Sequence, residues 1–248
     1  KYIKHLFVKQ IYRIFSKNRN LSKPWVINLN TRIVLITSAI LTVLGTVFFL
    51  IFEYDNTLAE HSETGKWIVA FFNSTTTRTA GFNSIDMAAM RLPTIMIFLV
   101  LMWIGASPAS TGGGIKTSTI AIASMNFISI ARGKDRIEIY RREISDISVR
   151  RAFAIISLSL IIIGLATAIL VTTEEGVSLI KIAFECFSAY STVGLSLGIT
   201  AGLSTIGKVV LMFVMFIGRV SMLSILIALM TKVPYKNYRY PTEQLLIN

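Results

Sequence analysis

Long apolar runs, separated by short polar stretches, set the pattern of the chain. A helix rises about 1.5 Å per residue and the hydrocarbon layer is about 30 Å thick, so a span needs about 20 apolar residues. Three stretches meet that length. Ile33 to Phe52 carries no charge and stops at Glu53, Ala152 to Thr173 carries none and stops at Glu174 and Glu175, and Val209 to Met230 carries only Arg219. A fourth, Leu92 to Ala131, is too long for one crossing. Its apolar first part ends at Ala106, Ser107-Pro108-Ala109-Ser110-Thr111-Gly112-Gly113-Gly114 follows, and a second helix-like part runs from Ile115 to Ala131. Proline and three consecutive glycines cannot sustain helical hydrogen bonding, so the pattern predicts a broken helix.

Two shorter amphipathic stretches, Lys66 to Thr75 and Ser178 to Ala189, cannot cross and suit re-entrant helices. Each precedes a short irregular stretch, Thr76 to Ser84 and Ser191 to Gly198. The order span, re-entrant helix, loop, span therefore occurs twice. An ungapped offset of 113 residues aligns Phe71 with Phe184, Thr79 with Thr192, Gly81 with Gly194, Met102 with Met215, Ile104 with Ile217 and Gly105 with Gly218. Units arranged around an axis bring their irregular loops together in protein rather than lipid. Two units do not close a ring, and the chain opens at Lys1 without a signal-peptide pattern, so it reads as a fragment of a longer protein. The expected organisation is the end of a preceding unit plus linker over 1–32, a repeat over 33–131, a connection over 132–151, a repeat over 152–231 and a tail over 232–248. The expected fold class is an all-α integral membrane protein of tandem span, re-entrant pore helix and span.

Composition agrees: mean hydropathy is +0.65, with 53% hydrophobic and 15% charged residues, which does not fit a soluble domain. The 25 basic residues against 13 acidic ones raise nucleic acid as a partner, but position decides otherwise. Residues 1–32, the 132–151 connection and the tail from Lys232 together hold 18 of the 25 basic residues. Glu53, Asp55, Glu60, Glu63, Asp86, Glu174 and Glu175 fall on the opposite side. The positive-inside rule then puts both termini of this fragment in the cytoplasm of a multi-pass protein of the cell (plasma or inner) membrane, with the re-entrant segments dipping in from outside. Topology explains the basic excess, and no nucleic-acid partner is expected. Cys186 is the only cysteine, and His5 and His61 both lie outside the apolar runs, so no disulfide framework, metal cluster or intramembrane histidine base is expected.

The candidate chemistry lies first in the two loops, Thr77-Arg78-Thr79-Ala80-Gly81-Phe82-Asn83 and Ser191-Thr192-Val193-Gly194-Leu195-Ser196. An ion that sheds its water needs a ring of backbone carbonyls, and Gly lets successive carbonyls face one axis. The plainer alternative is that these glycines only permit tight turns. The second candidate is the break from Ser107 to Thr119: irregular backbone at membrane depth survives only in protein or against water, and a glycine run suits motion. An ordinary kink at Pro108 is the alternative there. Gly114-Ile115-Lys116-Thr117 lacks the Gly spacing of a phosphate loop. The third candidate is Arg219, whose guanidinium near mid-bilayer has to face protein or a water path. A structural ion pair with Glu185 is the alternative, and Glu185 could equally hold its own loop.

The Thr-Ala-Gly-Phe-Asn and Thr-Val-Gly-Leu loops, the Ser-Thr-Gly-Gly-Gly-Ile-Lys break and the Ile-Gly-Arg-Val segment resemble the Trk/Ktr/HKT superfamily of potassium transporters, over essentially the whole chain, as the last two of four repeats. The resemblance implies that Thr79, Ala80, Gly81, Phe82, Thr192, Val193, Gly194 and Leu195 belong to a selectivity filter. Potassium would be held by the backbone of Thr79, Ala80, Gly81, Thr192, Val193 and Gly194, with Gly81 and Gly194 favouring it over sodium. It implies an intramembrane gate at Gly112, Gly113, Gly114 and Lys116, with Arg219 beside it. It further implies a homodimer of the parent chain, packed partly through the Tyr-rich tail, and a cytoplasmic nucleotide-binding regulatory ring. That tail could alternatively anchor at lipid headgroups. The expected function is gated potassium uptake, with no cofactor in this chain, no enzymatic step, and coupling to sodium or protons left open. The rival is a secondary symporter whose broken helix binds a small solute.

Overall fold

The computed structural model describes residues 28–140, 142–220 and 227. Most of the expected 1–32 linker, the far part of the last span and the 232–248 tail lie outside the described residues. Among the described residues seven α-helices carry the fold: α1 (Leu29–Glu53), α2 (Glu63–Thr76), α3 (Leu92–Trp103), α4 (Thr117–Ala131), α5 (Asp146–Thr173), α6 (Leu179–Tyr190) and α7 (Thr205–Val220). At 25 and 28 residues, α1 and α5 are long and apolar enough to cross a membrane. The fold is that of a mostly helical membrane protein. Short 3₁₀ turns at Met87–Ala89 and Thr200–Gly202, themselves 113 residues apart, lead into α3 and α7.

Two helix starts follow directly from local chemistry. Ser62 accepts the Gly65 N–H at the start of α2, and Pro93 sits in the first turn of α3, where its missing N–H costs nothing. Helix α5 begins at Asp146, inside the stretch expected to be a solvated connection. The rest of that connection holds a two-residue hairpin, β1 (Glu138–Ile139) with β2 (Arg142–Glu143), and its charges pair locally as Arg136 with Glu143 and Lys134 with Glu138.

The broken helix differs from expectation in extent. Helix α3 stops at Trp103 and α4 starts at Thr117, so the irregular segment is 104–116 rather than 107–114. Ile104 and Ile115 form a parallel bridge, Ile115 N donates to Trp103 O at 3.1 Å, and Thr117 N donates to Ala106 O at 3.4 Å. The chain thus loops back and passes alongside itself in the same direction, which satisfies backbone groups that lipid would leave bare.

Two apolar cores form. One gathers Phe49, Leu58, Ala70, Phe98 and Met102 of the first half, the other Ile163, Leu170, Ile182, Leu211 and Val214 of the second. Phe184, Val193, Leu195 and Leu197 belong to the first core although they come from the second half. The two halves therefore share packing at the loop after α6. Trp103 adds a polar tie, donating from Nε1 to Ser159 Oγ of α5 at 3.0 Å.

Candidate functional site

Each loop leaves the end of a short helix and is held by it. After α2, Thr76 Oγ1 accepts the Phe82 N–H and donates to the Phe82 carbonyl, both at 2.8 Å. After α6, Ser188 Oγ accepts the Gly194 N–H at 3.2 Å. Between these anchors the backbone alternates in hand. Thr79 and Gly81 have φ of 70° and 73°, Thr192 and Gly194 have 51° and 92°, and Ala80 and Val193 between them keep negative φ. A backbone in which φ alternates in sign is one that lets successive peptide carbonyls face one axis. Glycine takes that conformation without cost, whereas threonine, being β-branched, takes it only when its surroundings impose it.

The loops lie side by side. A Cβ on Gly81 would fall on the Val193 carbonyl oxygen and stand 3.5 Å from the Gly194 Cα, and Thr79 Oγ1 donates to Ser191 O at 3.4 Å. Val193 and Leu195 are buried in the first core at 5% and 1% exposure, which turns their side chains away from the loop's free face. Phe82 of the earlier loop is 69% exposed. All eight residues of the expected filter are thus in two adjacent loops of like backbone.

The irregular segment closes beneath them. Gly112 and Gly113 are buried, and Ile115 is fully so. Lys116 Nζ donates to the Gly112 carbonyl and Arg219 donates to the neighbouring Thr111 carbonyl. The five residues of the expected gate therefore come together, with two cations on adjacent carbonyls of one loop. The alternative pairing of Arg219 with Glu185 does not form. Glu185 instead accepts from Ser196 Oγ and from Thr200 Oγ1, the latter at 2.7 Å, and so pins the segment after its own loop. Arg219 itself is exposed in this chain, on the side where it meets the loop.

Three features were not foreseen from the sequence. Glu53, fully buried at the end of α1, accepts from Arg91 N at 2.9 Å, Thr94 Oγ1 at 2.5 Å, Asn56 Nδ2 at 2.7 Å and Thr57 Oγ1 at 3.0 Å, and so caps α3. Glu174, just past α5, does the same for α7 by accepting from the Ser204 hydroxyl and from Ser204 N at 3.1 Å. The Ser204 hydroxyl, then its N–H, hold the Glu174 carboxyl below the usual carboxylate range. An acid ending an apolar run in both halves is the signal that could have found this pair. The third feature is Arg78, which reaches from the first loop to Thr42 Oγ1 of α1 at 2.7 Å and to Ser38 O at 3.4 Å.

The TrkH family model, described as a cation transport protein, matches residues 22–239. The chain is 39% identical over 222 residues to the Ktr system potassium uptake protein B of Vibrio alginolyticus, covering 89% of this chain and 48% of that protein. It is 36% identical over 234 residues to the Ktr system potassium uptake protein D of Bacillus subtilis, covering 94% and 51%. It is also 36% identical over 227 residues to the potassium/sodium uptake protein NtpJ of Enterococcus hirae, covering 89% and 50%. The crystal structure of the potassium transporter TrkH from Vibrio parahaemolyticus has the same fold, at a TM-score of 0.64 and 19% identity, covering 81% of this chain and 44% of that one. The chain spans about half the length of the curated relatives it matches. It belongs to the TrkH cation transport family, which is a family of ion transporters and not of enzymes.

Proposed function

We propose that this TrkH-family chain supplies two of the four strands of a potassium-conducting filter in a longer parent protein, gated from below by segment 104–116. The observation that carries the reading is the pair of adjacent loops, Thr79–Gly81 and Thr192–Gly194, with the same alternation of φ and with Gly81 against the Val193 carbonyl. Carbonyls gathered on one side replace the hydration shell of a bare cation. The relatives named for potassium uptake support potassium as the ion, and the one named for potassium and sodium makes selectivity a quantity to measure.

The packing supports further strands. The later loop is backed by the core of the earlier repeat, through Val193 and Leu195. By the same rule the exposed Phe82 of the earlier loop is the seat for a preceding repeat in the parent. In the gate, Lys116 and Arg219 hold the Gly112 and Thr111 carbonyls, and their fixed charge opposes a cation. Two unit charges about 8 Å apart repel by roughly 2 kcal/mol at an effective dielectric of 20, so the barrier persists until the loop moves. The solute-symporter alternative has no observation in its favour, because the break is closed against the loops. A plasma- or inner-membrane location with cytoplasmic termini, a homodimeric parent, a cytoplasmic nucleotide-binding ring and coupling to sodium or protons complete the reading as proposals.

The test is potassium and sodium uptake by the full-length parent in cells lacking other potassium uptake, comparing wild type with Gly81→Ser and Gly194→Ser. Gly194 has open space around its Cβ position but a φ of 92°, so the side chain acts through backbone strain of about 1–3 kcal/mol. Potassium-over-sodium selectivity is expected to fall about 10-fold in each variant at normal expression, a change of about 1.4 kcal/mol. Selective wild-type uptake unaffected by both changes would move the ion path elsewhere.

A further inference from the structure

The gate segment is fitted to the base of the loops residue by residue. Gly113 N–H donates to Thr192 Oγ1 at 2.9 Å, and a Cβ on Gly113 would stand 2.6 Å from that same oxygen and 2.9 Å from the Ser191 carbonyl group. A Cβ on Gly112 would stand 3.0 Å from Thr79 Oγ1, and one on Gly114 would stand 2.9 Å from Ser191 Oγ. The Ser191 hydroxyl is buried and has no hydrogen-bond partner among the described residues. The three glycines therefore do more than loosen a chain: they let the segment lie flush against the loops, with one hydrogen bond crossing the contact.

The two threonines at the loop starts use their hydroxyls differently. Thr79 Oγ1 turns toward the other loop, at Ser191 O, while Thr192 Oγ1 turns down to the gate. Thr192 is also left-handed, a conformation a β-branched residue keeps only when its contacts hold it.

We propose that Thr192 is the latch between gate and filter: its hydroxyl accepts the Gly113 N–H in the closed state and must release it for the segment to leave. The inference rests on the filter-and-gate reading and deepens it, by naming the side chain through which the loop's position and the filter's backbone are coupled. Thr192 acts here as a positioning residue, distinct from any part its carbonyl plays in holding an ion. When the segment is displaced, Gly113 N–H and Thr192 Oγ1 can both find water, so the bond favours the closed state alone. Its loss should raise a small resting open fraction about 3- to 10-fold.

The experiment is potassium and sodium uptake by the full-length parent without any activating partner, in wild type, Thr192→Val, Thr192→Ala and Thr192→Ser. Val keeps the volume and β-branching and removes the acceptor; Ser keeps the acceptor. Thr192→Val should raise the maximal resting rate about 3- to 10-fold with KM moving less than 2-fold, and Thr192→Ser should restore the low rate. Thr192→Ala is the measure if the Val variant fails to reach the membrane, and it should show the same rise. A selective wild type whose maximal rate is unchanged in both Val and Ala overturns the latch and leaves the filter reading standing. The same holds if Thr192→Val shifts KM and selectivity without raising the maximal rate while Thr192→Ser keeps both at the wild-type values, since that marks an ion-contacting hydroxyl. A wild type without potassium selectivity overturns the filter reading, and the latch with it.

Discussion

Replacing Glu53 by Gln tests whether the buried carboxylate at the end of α1 is what holds α3 in place. Oε1 takes the Arg91 N–H and the Thr94 hydroxyl, and Oε2 takes Asn56 Nδ2 and the Thr57 hydroxyl. The amide of Gln keeps one acceptor oxygen and presents N–H where Oε2 received three donors, the third being the Thr57 N–H at 3.4 Å. If the oxygen stays with Arg91 and Thr94, the amide nitrogen faces Asn56 Nδ2, donor against donor. Thr57 can rotate its hydroxyl, but the Asn56 bond is lost and the two remaining bonds weaken from charge-assisted to neutral. Bonds to a charged group contribute about 1.5–3 kcal/mol each against about 0.5–1.5 for neutral ones, so two weakened bonds and one lost bond sum to about 3.5–6 kcal/mol. For a cooperative unit of 150–250 residues that is roughly 7–24 °C in Tm. The assay is the temperature at which half of the detergent-solubilised full-length parent leaves its monodisperse peak. Glu143→Gln is the control, since Glu143 pairs with Arg136 at 3.5 Å with both side chains exposed, and surface pairs contribute about 1 kcal/mol or less. A shift for Glu53→Gln no larger than that of the control would refute the reasoning.

The counterpart Glu174 yields a pH dependence. Its carboxyl is held below the usual range by Ser204, so the folded state favours the ionised form, and that stabilisation is complete above the ordinary carboxylate pKa and fades as pH falls through the lowered one. The Tm gap between wild type and Glu174→Gln should therefore be widest near neutrality and close on acidification; a gap independent of pH would exclude the mechanism. Glycine packing gives a paired test. A Cβ on Gly218 would fall on the Tyr190 carbonyl, with the Tyr190 Cα at 3.1 Å, whereas one on Gly164 meets nothing within 4 Å. Gly218→Ala should cost about 1–3 kcal/mol by forcing α7 off α6, and Gly164→Ala should be neutral or stabilising by up to about 1 kcal/mol, both read from the same melting assay.

What the sequence made legible was whatever a short window of residues decides. The length of an apolar run marks α1 and α5, and Thr-Ala-Gly and Thr-Val-Gly mark the loops, because bilayer thickness and glycine's backbone freedom act at that scale. The extent of the break was not legible for the same reason. Ile104, Gly105 and Ile115 belong to a helical pattern by composition, and they leave it because Ile115 hydrogen-bonds to Trp103 and Gly105 packs on the Gly113 carbonyl, contacts that exist only once the segment has folded back. Glu53 and Glu174 escaped the repeat because an ungapped offset of 113 aligns the helices they cap but not the acids, which are 121 apart. Counted along the repeat, the acid lies eight residues farther from the aligned re-entrant helix in the first half than in the second, yet each half delivers a carboxylate to the same helix start. Glu185 shows the other limit: the sequence offered Arg219 as a charge of opposite sign, but Ser196 and Thr200 lie within reach of the carboxylate and Arg219 reaches the gate loop's carbonyl instead. A carboxylate in a protein interior is satisfied by any donors that arrive with good geometry, so two hydroxyls fixed by the adjacent loop displace a more distant cation. That choice leaves Arg219 to donate to the Thr111 carbonyl of segment 104–116.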